Sequence, residues 1–354
     1  MISRKPFFTR SLLTLFIVIF AIPAFAANEV RTIPFTKSSR ALIAKSQSNI
    51  VIRLQPHMGF NPKPFVLHEI IVDGATESEQ RVFDKMTSSY KGELVTAQDL
   101  NLIASAMSFQ YSKEGYALTQ VVVPAQTIRN GIIHFQVVPG YVENVSVEGS
   151  TTRFNDRLEH YGAQISEFRP LKRRVLERYA TLASRIPGII LVTVITPDQA
   201  PGAYTLTFHV RRWHVLPFLG THNRGTRYLG PVMGSIGGYT NGVLEGGDAL
   251  GGFVLFTPDN QEYSYGKVIY SIPVGYNGLR FSFIGDYAHA IPGFLLTPQR
   301  VQISTTDFIF LTTYPLWLTN KSELDLVAGF NPAENSNHFL LILLYLLIVC
   351  VSCW

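Results

Sequence analysis

Apolar residues recur in a regular order over the first half of the chain. Three consecutive segments, 116–123, 131–138 and 141–147, are rich in β-branched and aromatic residues and end at Gly or Pro, which predicts three strands. The segment before them, 96–113, carries apolar residues at spacings of three and four. This spacing predicts an amphipathic helix with these residues on its inner face: Leu100, Ile103, Met107 and Tyr111.

An earlier strand and an earlier helix complete the unit. The segment 65–72 predicts a strand, and a helix is predicted to begin at Thr76, which forms a capping box with Glu79. Thr96 and Asp99 form a similar box before the second helix. The first helix is expected to turn three apolar residues towards the sheet: Val82, Phe83 and Met86. The predicted order is therefore strand, helix, helix, strand, strand.

The Gly and Pro motifs at the ends of this unit's elements occur a second time, about 75 residues later. Four features have counterparts: Asp73-Gly74 and Glu148-Gly149, Gly115 and Gly188, Pro124-x-Gln126 and Pro197-x-Gln199, and Gly131 and Gly202. Chance would require four coincidences in register, so we interpret the chain as two copies of one α+β module in tandem.

The second module is predicted from its own pattern. Its first helix carries an apolar stripe of Phe154, Leu158, Tyr161 and Ile165. Pro170 suits the first position of its second helix, whose expected inward residues are Leu171, Val175, Tyr179, Leu182 and Ile186. Two strands, 189–196 and 203–211, are predicted to close the module.

The element order, the Gly-Tyr at 115–116 at the start of the module's second strand, the Pro-x-Gln after that strand and the repeat resemble paired polypeptide-transport-associated (POTRA) domains. The closest resemblance is to the outer-membrane haemolysin activation/secretion transporters of two-partner secretion. It covers about residues 65 to 330, most specifically in the first module. It implies POTRA domains at 65–140 and 141–212 in the periplasm, and we expect 65–212 to fold alone.

The helical pattern ends after Arg212, and glycines and aromatic residues become frequent. Alternation is clearest over 279–287 and 324–330, where one face is apolar and the other carries Arg, Ser, Asp and Glu. Segments of about ten residues with this pattern are typical of a transmembrane β-barrel, and a soluble β-sandwich is the alternative. The predicted fold class is thus two β-α-α-β-β POTRA modules followed by an incomplete antiparallel transmembrane β-barrel over 213–338.

Three short motifs in this region resemble the start of the family's barrel. They are Asn223-x-Gly225-Thr226-Arg227-Tyr228-x-Gly230, Gly247-Asp248-x-Leu250 and Tyr270-x-Ile272-Pro273-x-Gly275. His222 stands where the family usually has an acidic residue. The family's later Val-Arg-Gly-Tyr/Phe loop motif is absent from this sequence.

The amino terminus has the features of a secretory signal over 1–26: Arg4, Lys5 and Arg10, an apolar core, and Ala24-Phe25-Ala26. Residues 27–64 are polar and rich in Pro, which predicts a linker; a short helix near 39–46 could plug a pore, and an unstructured linker is the alternative. Without the leader, the chain has 27 basic and 25 acidic residues, and no basic block suggests nucleic-acid binding. The basic run at 172–178 is interpreted as a solvated helix face.

The carboxy-terminal segment 339–354 departs from the barrel pattern. Its first thirteen residues are all apolar, which is short for a spanning helix and unlike a barrel strand. Cys350 and Cys353 have the spacing of a redox or metal pair but supply only two ligands, so we interpret the segment as an accidental tail. We therefore expect a C-terminally truncated form that makes no working pore.

No catalytic motif is present, so we predict no enzyme activity, no cofactor and no metal site. The His-Glu-x-x-His, Gly-x-Ser-x-Gly and phosphate-loop patterns are all missing. The predicted function is protein translocation across the outer membrane in two-partner secretion, with an unfolded exported protein and outer-membrane lipid as partners. The alternatives are a barrel-assembly factor of the same superfamily, and a periplasmic client-binding or scaffold protein without a pore.

The resemblance also implies where the client binds. In the resembling fold the strand 116–123 lies at a sheet edge, where unpaired backbone groups can accept an extended client as another strand. The candidate client-binding residues are Tyr116, Leu118, Thr119, Gln120, Val121, Val122 and Val123. Packing of the module is the alternative role for those that face inwards.

Overall fold

The structure is a computed structural model, and it describes residues 49–54, 62–149, 152–213, 215–244, 246–258, 262–335 and 339–352. The predicted signal at 1–26, the proposed plug piece at 39–46 and Cys353 lie outside these residues. The described part contains two small α+β modules and one large antiparallel sheet. The predicted fold class is confirmed.

The first module follows a short strand, β1 (Asn49–Ile52), and has the predicted order. Its elements are β2 (Phe65–Val66), β3 (Glu69–Asp73), α1 (Glu77–Thr87), a 3₁₀ turn (Ser88–Tyr90), β4 (Leu94–Val95), α2 (Ala97–Lys113), β5 (Gln120–Val122) and β6 (Ile132–Val138). In the sheet, the central β6 pairs in parallel with β3 and antiparallel with β5, while β2 and β4 form a separate pair.

Both helices of this module begin at capping boxes, as predicted. The Thr76 backbone N–H donates to the Glu79 carboxylate, and the Thr96 N–H donates to Asp99 at 2.8 Å. Hydrogen bonds from the Thr96 hydroxyl and amide lower the pKa of Asp99. The predicted inner face of α2 is buried throughout, and Phe83 is buried on α1. The prediction for the other two α1 residues is wrong, because Val82 and Met86 are exposed.

Two predicted strands of the first module are shorter than expected. The segment 65–72 is divided at Leu67, whose N–H donates to the Glu93 carbonyl. The segment 116–123 keeps strand geometry only over β5, because the residues before it turn towards the second module. In both places a contact with a distant part of the chain replaces the ladder that the local pattern predicts.

The second module contains β7 (Tyr141–Glu148), α3 (Thr152–Ser166), α4 (Arg173–Ser184), β8 (Ile189–Pro197) and β9 (Ala203–Arg212). The predicted α3 stripe is buried, as are Leu171, Leu182 and Ile186, while Val175 and Tyr179 are half-buried. The placement of Pro170 in a helix was wrong, since α4 begins at Arg173 after its N-cap Lys172. Leu171 instead joins the core and donates its N–H to the Gly140 carbonyl.

The two modules share one topology. In the second, the central β9 pairs in parallel with β7 and antiparallel with β8, as β6 does with β3 and β5. The predicted glycine counterparts also share backbone geometry: φ is +95° at Gly115 and +84° at Gly188, and +70° at Gly131 and +76° at Gly202. Glycine populates this left-handed region without steric cost, which explains why the repeat is most visible at these positions.

Strand β1 lies inside the predicted linker and was not anticipated. It pairs in parallel with β8, from Asn49 opposite Val192 to Ile52 opposite Ile195. The second module therefore has a four-stranded sheet in the order β1-β8-β9-β7.

The large sheet has eight antiparallel strands that follow one another in chain order. They are β10 (Val215–His222), β11 (Met233–Asn241), β12 (Ala249–Phe256), β13 (Tyr263–Val274), β14 (Leu279–Ala290), β15 (Ile303–Leu318), β16 (Ser322–Asn335) and β17 (Phe339–Ser352). Within the described residues, β10 and β17 are the outer strands and do not pair with each other. The exclusion of 339–352 from the sheet was wrong, because β17 pairs with β16 along its whole length.

One face of this sheet carries exposed apolar side chains on successive strands, among them Ile236, Val254, Val268, Phe283 and Phe310. The strands alternate as the predicted pattern requires, so a continuous apolar surface covers that face. Within the described residues, no helix is both long enough and apolar enough to cross a membrane.

Replacing Gly131 with Ala should destabilise the first module much more than replacing Gly92. Both glycines have positive φ, so alanine costs about 1–2 kcal/mol at either position. A Cβ at Gly131 would also overlap the Val66 carbonyl and the His68 ring, whereas Gly92 has open space around it. We expect a total loss of about 3 kcal/mol or more for Gly131→Ala.

Urea unfolding of a fragment spanning 46–212 measures both changes. Equal losses for the two variants would show that the close approach of His68 and Val66 to Gly131 has no energetic consequence.

Candidate functional site

The seven candidate client-binding residues lie in β5 or within four residues of it, at the edge of the first module's sheet. Five of them are buried: Leu118, Thr119, Gln120, Val121 and Val123. Tyr116 and Val122 are half-buried. The structure thus brings the seven together along one segment, with most of their side chains turned away from solvent.

The outward backbone donor of β5 already has an acceptor. The Val121 N–H donates to the Ser108 hydroxyl at 2.8 Å, and that hydroxyl donates to the Ala104 carbonyl one turn earlier in α2. Ser108 is itself buried. A client that paired with this edge would have to displace the Ser108 hydroxyl.

The opposite edge of the same sheet is covered by a side-chain amide. The Val72 N–H of β3 donates to Gln80 Oε1, and Gln80 Nε2 donates to the Ile70 carbonyl, each at 3.1 Å. The Gln80 amide therefore makes the two hydrogen bonds that a neighbouring strand would make. Sequence patterning gave no sign of Gln80 or Ser108, since each acts through an element distant in the chain.

The segment leading into β5 forms the joint between the two modules. Leu118 belongs to the core of the second module. The Tyr204 hydroxyl donates to Gln120 Oε1 at 3.1 Å, in a contact that is buried on both sides. The Arg173 N–H donates to the Gly115 carbonyl at 2.7 Å. These contacts hold the modules together and explain the burial of Leu118 and Gln120. Val121 and Val123 are buried in the first module's own core.

The corresponding edge of the second module is occupied by another strand. β8 is the counterpart of β5, since each follows its module's second helix and pairs antiparallel with the central strand. Here β1 lies along the edge, and beyond it the Arg53 N–H donates to the Ile195 carbonyl at 2.9 Å. The run Ile50-Val51-Ile52, three β-branched residues within a polar linker, is the sequence signal that could have revealed it.

The second module also contacts two turns at one end of the large sheet. Arg157 donates to the Gly275 carbonyl in the β13–β14 turn, and the His160 ring stacks on Tyr276 with centroids 3.9 Å apart. At the β15–β16 turn, the Arg174 guanidinium lies 3.9 Å from the centre of the Trp317 ring. Leu318 belongs to the second module's core.

A charged cluster completes this junction. Arg185, at the end of α4, forms ion pairs with Glu323 and Asp325 at the start of β16. In the β11–β12 turn, the carboxylate of the fully buried Asp248 accepts hydrogen bonds from the Val243 and Leu244 amides and from the Tyr270 hydroxyl.

The basic run at 172–178 is only partly solvated, because Arg174 contacts the sheet and Arg173 contacts Ser112.

Each module carries one histidine–carboxylate pair at an equivalent place. His134 lies 3.1 Å from Asp73, and His209 lies 3.1 Å from Glu148. All four side chains are largely exposed, so each pair stabilises its module little. In the described part of the chain, no group of three or more His, Cys, Asp or Glu side chains could hold a metal ion.

Comparison with known proteins assigns residues 65–140 to the POTRA domain family of ShlB type. The heme/hemopexin transporter protein HuxB of Haemophilus influenzae strain 86-028NP is 22% identical over 205 residues, which cover 57% of this chain and 36% of HuxB. The outer membrane transporter CdiB of Escherichia coli is 22% identical over 188 residues, covering 53% of this chain and 31% of CdiB. The chain thus matches about a third of the length of these curated relatives.

The solved structure of CdiB from Escherichia coli has the same fold over 88% of this chain and 57% of its own length, with a TM-score of 0.54 at 17% identity. Both relatives are named as transporters, and CdiB as an outer membrane transporter. The predicted resemblance to two-partner secretion transporters is confirmed, as is the outer-membrane location with the POTRA modules in the periplasm.

Replacing Ser108 with Ala should destabilise the two-module fragment by about 1–3 kcal/mol, because the buried Val121 amide loses its hydroxyl acceptor. Ser105→Ala is the matched control. Ser105 lies on the same helix, and its hydroxyl makes the same kind of bond, to the Asn101 carbonyl at 2.7 Å, but on the exposed face. We expect its effect to stay within about 0.5 kcal/mol.

Urea unfolding of the fragment compares the two variants directly. A Ser108→Ala loss no larger than that of Ser105→Ala would mean that the hydroxyl does not hold the β5 edge.

Proposed function

We propose that this chain acts in protein export across the outer membrane by two-partner secretion. Its POTRA modules capture an unfolded client and deliver it to the large sheet. The single observation that carries the proposal is how the modules are attached to the large sheet. Two modules lie in tandem, and the second contacts one end of an antiparallel sheet through Arg157, Arg174 and Arg185. The outer face of that sheet is apolar. A client held by the modules would therefore lie beside the end of that sheet.

Strand addition is the mode of capture that this architecture supports. An exported protein that is still unfolded presents its backbone N–H and C=O groups, and a sheet edge can pair with them without demanding a particular sequence. The segment carrying Tyr116, Leu118, Thr119, Gln120, Val121, Val122 and Val123 remains our proposed client contact in the first module. Because the Val121 amide is bonded to Ser108, pairing there requires the Ser108 hydroxyl to turn away.

The names of the relatives support transport as the general activity. HuxB is described as a heme/hemopexin transporter and CdiB as an outer membrane transporter. We extend transport to this chain, with an exported protein as its substrate class and outer-membrane lipid around its apolar sheet face. We propose no enzyme activity for it.

Deleting the gene in the bacterium that encodes it tests this proposal. We expect one large protein to disappear from the culture medium and to accumulate, or be degraded, in the periplasm. A plasmid-borne copy should restore its secretion. Quantitative proteomics of the medium and of the outer membrane measures both effects.

The same experiment distinguishes the alternatives. A general loss of barrel proteins from the outer membrane would favour a barrel-assembly factor. An unchanged medium and an unchanged outer membrane would favour a periplasmic scaffold and contradict the export proposal.

A further inference from the structure

We propose that the start of α4 carries a membrane-docking surface, the basic patch formed by Lys172, Arg174 and Arg178. Its partner is the phosphate headgroups of anionic phospholipids on the periplasmic side of the outer membrane. The inference rests on the outer-membrane location of the chain and is independent of the export function proposed above.

The two modules carry opposite net charges. Residues 65–140 contain five basic and eight acidic residues, whereas residues 141–212 contain ten basic and seven acidic residues. The second module, which contacts the large sheet, is therefore the basic one. Its excess positive charge lies at the membrane end of the periplasmic part, where an anionic lipid surface would attract it.

The basic patch has no counter-ion of its own. Among the described residues, the ion pairs involve Lys91, Arg185 and two histidines, and none involves a side chain of the patch. Arg174 and Arg178 are one helical turn apart, so their like charges repel each other and destabilise α4. A bound anion would relieve this repulsion.

The end of β15 places the patch at the level of the lipid headgroups. Leu316 continues the outward alternation of Phe308 and Phe310 on that strand and is 47% exposed. After a bulge between Pro315 and Trp317, the Trp317 side chain is also exposed, by 40%. Aromatic residues at the rim of an apolar membrane face lie among the headgroups, so Trp317 marks that level on the periplasmic side.

Arg174 connects the patch to this rim. Its guanidinium lies 3.9 Å from the centre of the Trp317 ring, which is itself oriented by a hydrogen bond from Nε1 to the Ser322 hydroxyl at 3.2 Å. A guanidinium stacked through its face keeps its in-plane N–H donors available, and phosphate oxygens suit them as acceptors. Lys172 is exposed and Arg178 is half-buried, so a phosphate beside Arg174 lies within reach of both.

The neighbouring cations of the second module already have partners in the protein. Arg157 and Arg185 bind groups of the large sheet, and Arg173 contacts Ser112 of the first module. The patch is thus the part of this basic cluster that is left for an external anion.

Lysine footprinting of the full chain tests docking at a native residue. The chain is reconstituted in nanodiscs of phosphatidylcholine, or of phosphatidylcholine and phosphatidylglycerol in equal parts. Acetylation of each lysine is then followed by mass spectrometry. Lys172 is the one lysine in the sequence of the second module, and Lys85, exposed on α1, is the internal control.

We expect Lys172 to be acetylated roughly fivefold more slowly in the anionic nanodiscs, because a headgroup phosphate covers its amine and an anionic surface holds each cation by about that factor. Lys85 should react at the same rate in both. The protection of Lys172 should weaken at high salt, since mobile ions screen the attraction.

Two double variants locate the effect. Arg174→Gln with Arg178→Gln should remove most of the protection of Lys172 while leaving its rate in phosphatidylcholine unchanged. Arg81→Gln with Arg129→Gln is the matched control, because it removes the same charge from exposed positions of the first module. Protection should persist in that control.

Equal acetylation of Lys172 in the two kinds of nanodisc would overturn the inference. Protection by inorganic phosphate in phosphatidylcholine nanodiscs would overturn it in favour of a soluble anion. Protection by polyglutamate but not by phosphatidylglycerol would assign the patch to an acidic polypeptide instead. None of these results depends on secretion, so failure of the export proposal leaves the docking surface standing.

Discussion

The backbone groups along sheet edges are the constraint on which the architecture of this chain depends. Each small sheet has two edges, and a buried N–H or C=O without a partner costs free energy. Three different solutions occur within about 150 residues. The Gln80 amide covers β3, the Ser108 hydroxyl accepts the outward amide of β5, and a whole strand, β1, covers β8.

These solutions differ in how easily they are undone. Gln80 and Ser108 belong to helices packed on their own sheet, so removing them means disturbing a core. β1 comes from outside the modules and is anchored by Ile50 alone among its apolar side chains with a core contact. The edge with the most replaceable cover therefore belongs to the module in contact with the large sheet.

Much of the fold follows from local rules that operate within one turn or one strand. The capping boxes at Thr76 and Thr96, the buried α2 stripe and the glycines with positive φ were all predictable, because each depends on residues a few positions apart. The repeat was visible for the same reason: Gly115 and Gly188 occupy a backbone conformation that other residues rarely adopt.

Two of the failures involve partners that are distant in the chain. Gln120 is buried against Tyr204, 84 positions away. Its strand was therefore predicted to be an accessible sheet edge, whereas it contacts the second module. β1 has only four residues, so its β-branched run is a weak signal, and its pairing with β8 defines the strand. The segment Phe339–Ser352 has no alternation at all, and its pairing with β16 follows from chain connectivity.

Native-state hydrogen exchange on the β8 amides tests most directly whether β1 is a replaceable cover of the β8 edge. The N–H of Ile195 faces β1, because its carbonyl accepts from Arg53, and the N–H of Val194 faces β9. We predict that Ile195 exchanges through a local opening, much faster than Val194 and with little dependence on added denaturant. Exchange of both amides at one slow rate, with the denaturant dependence of global unfolding, would show that β1 is a fixed part of the module and would contradict the account.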